Sequence, residues 1–139
     1  MYILDTDHLS VLDRGGMASR RLFQRLANVT SEQVVTSIIS YEEQMRGWLS
    51  FVANAQTVDQ QVKAYSRLRK HLTNYCAIPV LEFDYAAAQE FSRLRLLYPR
   101  LGTMDLKIAA VALVNQSIVL TRNTRDFEKI ADLTIDDWT

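Results

Sequence analysis

Short apolar runs typical of buried strands alternate along this chain with longer segments in which apolar residues recur every three or four positions. The helical patterns lie between the strand-like runs, which cover residues 2–4, 34–36, 77–81, 117–121 and 133–135. Alternating strands and helices pack as a parallel sheet with helices on both faces, because each crossover returns the chain over one face. The pattern therefore predicts a single α/β domain over residues 1–139 with a mostly parallel central sheet.

Composition excludes several classes of protein. The chain has 139 residues, of which 48% are hydrophobic and 23% charged, and this excludes a disordered polymer. Sixteen basic residues balance sixteen acidic ones, which argues against non-specific binding of polyanions. The single cysteine, Cys76, cannot form an internal disulfide. The segment MYILDTD has an acid at position 5 and no basic region before an apolar stretch, which is unlike a signal peptide, and no apolar run is long enough to span a membrane. We therefore expect a cytoplasmic protein without membrane attachment.

Acidic residues follow the strand-like runs or open the helices at several distant places in the chain. In chain order they are Asp5 and Asp7, Glu42 and Glu43, Asp105, and Asp126. A parallel sheet gathers the carboxyl ends of its strands, and the helix starts that follow them, along one edge, where ligands bind in such folds. We therefore expect these carboxylates to lie near one another.

Carboxylates gathered at one edge repel each other by roughly 1 kcal/mol per pair at 4 Å in water, and by more when they are partly buried. A divalent cation among them would remove this repulsion, and oxygen ligands suit Mg²⁺ or Mn²⁺ rather than zinc. Neither His8 nor His71 has a Ser or Cys partner in a recognisable motif, and there is no phosphate-binding glycine loop. Metal-assisted hydrolysis of a phosphodiester is the chemistry that remains.

Each acid also has a structural explanation that needs no ligand. Thr6 or Asp7 can cap the first helix. Ser40 and Glu43 have the spacing of a capping box. An acid in a first helical turn, such as Asp105, stabilises the helix dipole by roughly a few tenths to 1 kcal/mol. The joint placement of the acids, rather than any one of them, favours a site.

Four segments resemble, in order, the motifs of PIN-domain ribonucleases, in particular the VapC-like toxins of bacterial type II toxin–antitoxin pairs. They are LDTD at 4–7, SIISYEEQMRG at 37–47, MDLKIAAVAL at 104–113 and LTRNTRDFEKI at 120–130. Each motif is short, but four in the right order make a specific signal. The resemblance implies a PIN-like three-layer α/β/α sandwich.

The resemblance also implies the roles of individual residues. It implies a catalytic, metal-binding set made of Asp5, Glu43, Asp105 and Asp126, with Thr6, Asp7 and Asn123 supporting these ligands. Glu43 is selected over Glu42 because a Ser stands three positions before it and a Gly four positions after it. Family members carry the acid of the fourth motif at either the Asn123 or the Asp126 position. Gln44 departs from the family, which usually has Leu after the glutamate.

The implied activity is hydrolysis of RNA by an endoribonuclease that uses one or two Mg²⁺ or Mn²⁺ ions. The implied partners are an RNA substrate, a small antitoxin encoded alongside, and a second copy of the chain in a homodimer. An antitoxin segment would lie in an apolar groove near Trp48, Leu49 and Tyr65. The alternative for these three residues is a position in the core.

Other functions compete with this interpretation. Asp5-Thr6-Asp7 imitates the nucleophile motif of haloacid-dehalogenase-like phosphatases, with Asp5 as nucleophile, although Leu9 stands where that motif expects Thr or Val. A response-regulator-like phosphoacceptor would need an Asp at the end of the third strand, and none is present there. The chain could also be a PIN-like interaction module that has lost catalysis, although all four acids are retained.

The charge balance changes when the four acids of the proposed catalytic set are left out of the count. Bases then outnumber the remaining acids by four. Residues 44–81 contain only one acid, Asp59, against five bases: Arg46, Lys63, Arg67, Arg69 and Lys70. We therefore expect a mildly basic surface, suited to a phosphate backbone, around an acidic site.

Overall fold

A computed structural model describes residues 1–139. The strands are β1 (Tyr2–Leu4), β2 (Val34–Ser37), β3 (Val80–Leu81), β4 (Ile118–Leu120) and β5 (Ile135–Asp136). The helices are α1 (Thr6–Arg14), α2 (Met17–Leu26), α3 (Ile38–Ala53), α4 (Val58–Cys76), α5 (Tyr85–Leu97), α6 (Thr103–Val114) and α7 (Thr124–Phe127). None of these helices combines the length and the apolar character needed to cross a bilayer.

All five strands form one sheet in the order β3-β2-β1-β4-β5, and every neighbouring pair is parallel. The central strand is β1, in which Tyr2 pairs with Val34 on one side and with Ile118 on the other. The predicted parallel sheet is confirmed. Because all strands run the same way, their carboxyl ends and the helix starts that follow them share one edge.

Two apolar cores lie on opposite faces of the sheet, because successive residues of a strand point to opposite sides. Ile3 and Val119 belong to a core that also includes residues of α5 and α6. Leu4 and Leu120 belong to a second core, completed by residues of α1 and α2 and by Trp138. The fold is therefore the expected three-layer α/β/α sandwich.

Some elements differ from the predicted ones at their ends. The third strand is only Val80–Leu81, because Pro79 has no N–H to add to the ladder. The carbonyl oxygen of Pro79 still accepts a hydrogen bond from the backbone N–H of Thr36 at 3.0 Å. Gly15 and Gly16 separate α1 from α2, with φ angles of 74° and 91° that favour glycine.

The apolar stripe of α4 faces solvent. Val58 is 76% exposed, Val62 66% and Tyr65 60%, whereas Ala64 and His71 are the residues that α4 buries. The helix α4 packs mainly on α3, and this contact leaves the apolar stripe uncovered. A core position is therefore wrong for Tyr65 and for Leu49, which is also exposed.

The penultimate residue, Trp138, ties the C-terminus to the centre of the sheet. Its ring is buried against Tyr2 at a centroid distance of 4.8 Å, and its Nε1 donates to an Asp136 carboxylate oxygen at 2.9 Å. Its backbone N–H donates to Nε2 of the fully buried His8 at 3.2 Å. The last strand is thereby held against the start of α1.

We expect Trp138→Ala to lower the free energy of unfolding by about 3–5 kcal/mol, the usual loss for a buried Trp. Urea unfolding followed by far-ultraviolet circular dichroism measures this change. The matched control is Trp48→Ala, which truncates a half-buried ring at the surface and should cost much less. Equal losses in the two variants would contradict the packing role given to Trp138.

Candidate active site

Asp5 lies where the central strand becomes a helix. It is 5% exposed, and its backbone N–H donates to the carbonyl of Leu120 at 3.0 Å, which extends the pairing of β1 with β4. Its carboxylate accepts from the backbone N–H of Thr6 at 2.6 Å and from Thr121 Oγ1 at 2.9 Å. Asp5 is itself the N-cap of α1, so the prediction that Thr6 or Asp7 caps this helix is wrong.

The environment of Asp5 disfavours its charge. Burial, followed by repulsion from Asp7, raises the pKa of Asp5 to about 7, although the hydrogen bonds from Thr6 and Thr121 act in the opposite direction. The carboxylate of Asp105 adds a smaller repulsion. A carboxyl group whose pKa is raised by burial and by neighbouring acids is typical of functional sites.

Asp105 lies in the first turn of α6 and is partly buried. Burial, repulsion from Glu43 and repulsion from Asp126 together raise the pKa of Asp105 to about 6. A first-turn acid that only stabilised the helix dipole would have its pKa lowered by the helix N-terminus. The pKa of Asp105 is raised instead, first by burial and then by the neighbouring carboxylates of Glu43 and Asp126, so a helix-dipole role alone does not describe this residue.

Asn123 joins two of the acids. Its side-chain Nδ2 donates to Asp105 Oδ2 at 3.1 Å and to Asp126 Oδ2 at 3.2 Å. Asn123 precedes α7 but makes no side-chain cap, so its amide serves the acids rather than the helix. Asp126 also has Lys129 Nζ at 3.9 Å, a long and partly exposed ion pair. Asn123 therefore lies between Asp105 and Asp126, and its role in supporting these ligands stays a prediction.

Glu43 projects from α3 toward the first helix. Thr6 Oγ1 donates to Glu43 Oε1 at 2.9 Å, which links the end of β1 to α3. The capping-box alternative for Glu43 is wrong, because the N-cap of α3 is Ser37, whose Oγ accepts from the backbone N–H of Ser40 at 3.2 Å. Glu42 instead forms an exposed ion pair with Arg46.

Asp7 is held by three donors. Its carboxylate accepts from the backbone N–H of Arg122 at 3.0 Å and, at 3.3 Å, from Thr121 Oγ1. It also contacts His8 Nδ1 at 3.0 Å. Because Trp138 donates to the other ring nitrogen of His8, the neutral ring carries its proton on Nδ1 and donates it to Asp7. Asp7 therefore clamps the start of α1 to the loop after β4, and its role in supporting the ligands stays a prediction.

Sequence reasoning missed Thr121 and the partners of Gln44. Thr121 is fully buried, and its Oγ1 bridges Asp5 and Asp7; its signal was a polar residue directly after an apolar strand. The unusual Gln44 accepts from Tyr75 OH at 2.8 Å and donates to Ser10 Oγ at 3.4 Å. Gln44 thereby joins α3, α4 and α1, so a polar side chain is satisfied where an apolar one was expected.

The four expected acids lie along the edge that collects the strand ends, and Asp105 is the member that experiences repulsion with each of the other three. No three acidic, Cys or His side chains come close enough to enclose an ion by themselves. A donor set of oxygens without a closed cage suits a hydrated hard cation such as Mg²⁺, which keeps several waters and binds through one or two carboxylates.

Comparison with known proteins extends this description. Ribonuclease VapC1 of Haemophilus influenzae (strain R2866) is 27% identical over 141 residues, covering 100% of this chain and 98% of that protein. The tRNA(fMet)-specific endonuclease VapC of Shigella flexneri is 37% identical over 65 residues, covering 44% of this chain and 49% of that protein.

Solved structures with a similar fold are also found. A toxin–antitoxin complex from Klebsiella pneumoniae contains a chain that matches with a TM-score of 0.70 and 23% identity, over 96% of each chain. The family model described as PIN domain matches residues 2–133. This match includes every acid placed at the edge of the sheet, and the chain therefore belongs to the PIN domain family.

Proposed function

We propose that residues 1–139 act as a single metal-dependent endoribonuclease domain, the toxin of a toxin–antitoxin pair, working on RNA in the cytoplasm. Asp5 supports the proposal most directly. A carboxylate buried at the centre of the sheet beside Asp7 and Asp105 costs stability in the absence of a cation. The ribonucleases and the toxin–antitoxin complex that the chain resembles support the choice of RNA and of an antitoxin partner.

The proposed metal-binding and catalytic residues are Asp5, Glu43, Asp105 and Asp126, which would hold one or two Mg²⁺ or Mn²⁺ ions. A bound ion of this kind would activate water and stabilise the oxyanions of a phosphodiester during in-line attack. Thr6 orients Glu43, Thr121 orients Asp5, and Asn123 keeps Asp105 and Asp126 side by side. Asp7 joins the start of α1 to the segment after β4 by accepting the backbone N–H of Arg122.

A phosphatase that uses Asp5 as nucleophile is disfavoured. Leu9 stands where the motif of such enzymes expects Thr or Val, and the second acid of the motif, Asp7, is engaged by Thr121, Arg122 and His8. An inactive PIN-like module remains the alternative, and measurement of activity distinguishes it.

Proposed partners include a second copy of the chain and a small antitoxin. Exposed apolar side chains such as Leu49, Val62 and Tyr65 support a partner near α3 and α4, because surface patches of this kind mark interaction sites. Trp48 is half-buried beside them.

We expect Glu43→Gln to reduce RNA cleavage by at least about a hundredfold, because Gln keeps the size of the side chain but removes a negative ligand. The measurement is cleavage of cellular RNA in Mg²⁺ or Mn²⁺ by the purified protein. The matched control is Glu42→Gln, which makes the same chemical change at the neighbouring residue that pairs with Arg46 in solvent. Full activity in Glu43→Gln would remove Glu43 from the catalytic set.

Mg²⁺ or Mn²⁺ should raise the melting temperature of the protein, since an ion that binds only the folded state stabilises it. The shift should be larger at about pH 8 than at about pH 6, because protons compete for the Asp5 carboxyl, whose pKa lies near 7. Differential scanning fluorimetry with and without metal measures both shifts.

Asp5→Asn is the control for this titration. It should lose the metal-dependent shift and, in EDTA at about pH 8, should be at least as stable as the unchanged protein, because Asn carries no buried charge. A variant that unfolds in EDTA would give Asp5 a structural role instead. An unchanged protein that shows no shift in millimolar metal would contradict the metal site.

Induced expression of the chain in bacteria should arrest growth, and co-expression of the small adjacent reading frame should relieve the arrest. Asp5→Asn should also relieve it, which ties the arrest to the acids rather than to overproduction. Growth arrest that persists in Asp5→Asn would argue against toxicity through RNA cleavage.

A further inference from the structure

A cavity of about 760 Å³ lies between α1, α3 and α4, beside the proposed catalytic acids. Thr6 lines this cavity, and its Oγ1 also donates to Glu43 Oε1 at 2.9 Å. Thr6 therefore forms part of the wall between the cavity and the acids. The cavity and the acids are therefore neighbours on either side of the Thr6 side chain.

The cavity is cationic, in contrast to the acidic site next to it. Arg14, Arg67 and Lys70 line it, and none of them forms an ion pair within the chain. The one acid of the lining, Asp13, accepts a hydrogen bond from Asn74 Nδ2 at 3.1 Å. Cations that the protein leaves unpaired are available to phosphate groups, which attract them strongly.

Two aromatic rings stand among these polar groups. Trp48 and Phe51 are the only apolar side chains of the lining, and their rings meet edge to face with centroids 6.0 Å apart. Trp48 is half-buried, so one part of its ring is fixed while the rest remains accessible. Nucleic acid bases stack on rings held in this way.

Two further features of the lining lack an explanation within the chain. Gly47 lies in the middle of α3, where Gly costs about 1 kcal/mol relative to Ala. A Cβ at this position would meet no atom within 4 Å, so no protein contact requires the glycine. His71 also lines the cavity, and its buried Nε2 has no hydrogen-bond partner in the chain. Such orphaned atoms are rare and are normally satisfied by water or a ligand.

We propose that this cavity is a nucleotide subsite for single-stranded RNA, in which a base next to the cleavage site stacks on Trp48 while Arg67 and Lys70 bind backbone phosphates. The proposal rests on the proposed ribonuclease function, and it adds that the substrate strand passes through this cavity. Single-stranded RNA is recognised in other proteins through stacked bases and backbone contacts of this kind.

A protein segment suits a neighbouring groove better than this cavity. That groove has a volume of about 360 Å³ and a mostly apolar lining, which includes Leu4, Leu9, Leu12, Phe23, Ala77 and Ile78. Apolar linings accept amphipathic peptides, whereas unpaired cations beside aromatic rings match a nucleic acid strand. The chemistry of the cavity therefore favours RNA.

The test is binding of a fluorescent, random-sequence, single-stranded RNA in EDTA, measured by anisotropy, so that no cleavage is needed. We expect Trp48→Leu to weaken binding roughly fivefold to a hundredfold, the loss of one base–aromatic stack. Arg67→Gln should weaken it and reduce the slope of log Kd against log salt by about 0.7, the value for one phosphate contact. Lys63→Gln makes the same charge change one turn earlier on α4, outside the cavity, and should change Kd far less.

Circular dichroism first establishes that each variant is folded. Unchanged RNA binding in folded Trp48→Leu and Arg67→Gln would overturn the proposal and assign the cavity to another ligand, such as a protein segment. An equal loss in Lys63→Gln would also overturn it, because binding would then depend on general charge alone.

Cleavage by the same variants separates this proposal from the proposed function. If the unchanged protein cleaves RNA, the cavity variants should raise KM more than they lower kcat, because their side chains do not touch the reacting phosphate. If the unchanged protein binds RNA through Trp48 and Arg67 but cleaves none, the subsite stands and the nuclease proposal fails.

Discussion

The parallel pairing of β1 with β4 is the interaction on which the rest of this structure depends. It aligns Leu4 with Leu120, and the backbone N–H of Asp5 continues the ladder to the Leu120 carbonyl. Thr121, the next residue after β4, can therefore donate its hydroxyl hydrogen bond to Asp5. One register thus fixes both the sheet and the orientation of its central carboxylate.

The buried acids of the site lower the stability of the folded protein. Asp5 and Asp105 both have raised pKa values because each is buried among other acids, and a neutral side chain in either place would relieve the repulsion. The surrounding hydrogen bonds from Thr6, Thr121 and Asn123 reduce this cost without removing it. Natural proteins concentrate such local conflicts at functional sites, where a ligand resolves them.

The sequence predicted the layers of the fold and the edge on which the acids lie, because both depend on periodicity and on the parallel direction of the strands. It could not decide between two roles for Glu43, since Ser40 and Glu43 have capping-box spacing whether or not the helix begins there. The structure shows that the N-cap is Ser37, three residues before Ser40. Nor could it locate the exposed face of α4. An amphipathic pattern predicts burial, but it does not say whether the covering surface belongs to the same chain.

Thr121 donates the hydrogen bond that orients Asp5, and the two residues are 116 positions apart in the chain. During synthesis, the residues of β1 leave the ribosome well before those of β4, so the central pairing can form only after β4 has been made. Contacts between such distant segments form only after a long loop has closed, and this closure costs conformational entropy before the contacts stabilise the fold. The incomplete chain therefore cannot assemble Asp5, Thr121 and Asn123 into one site. Any activity that depends on them can begin only after both strands have been made and paired.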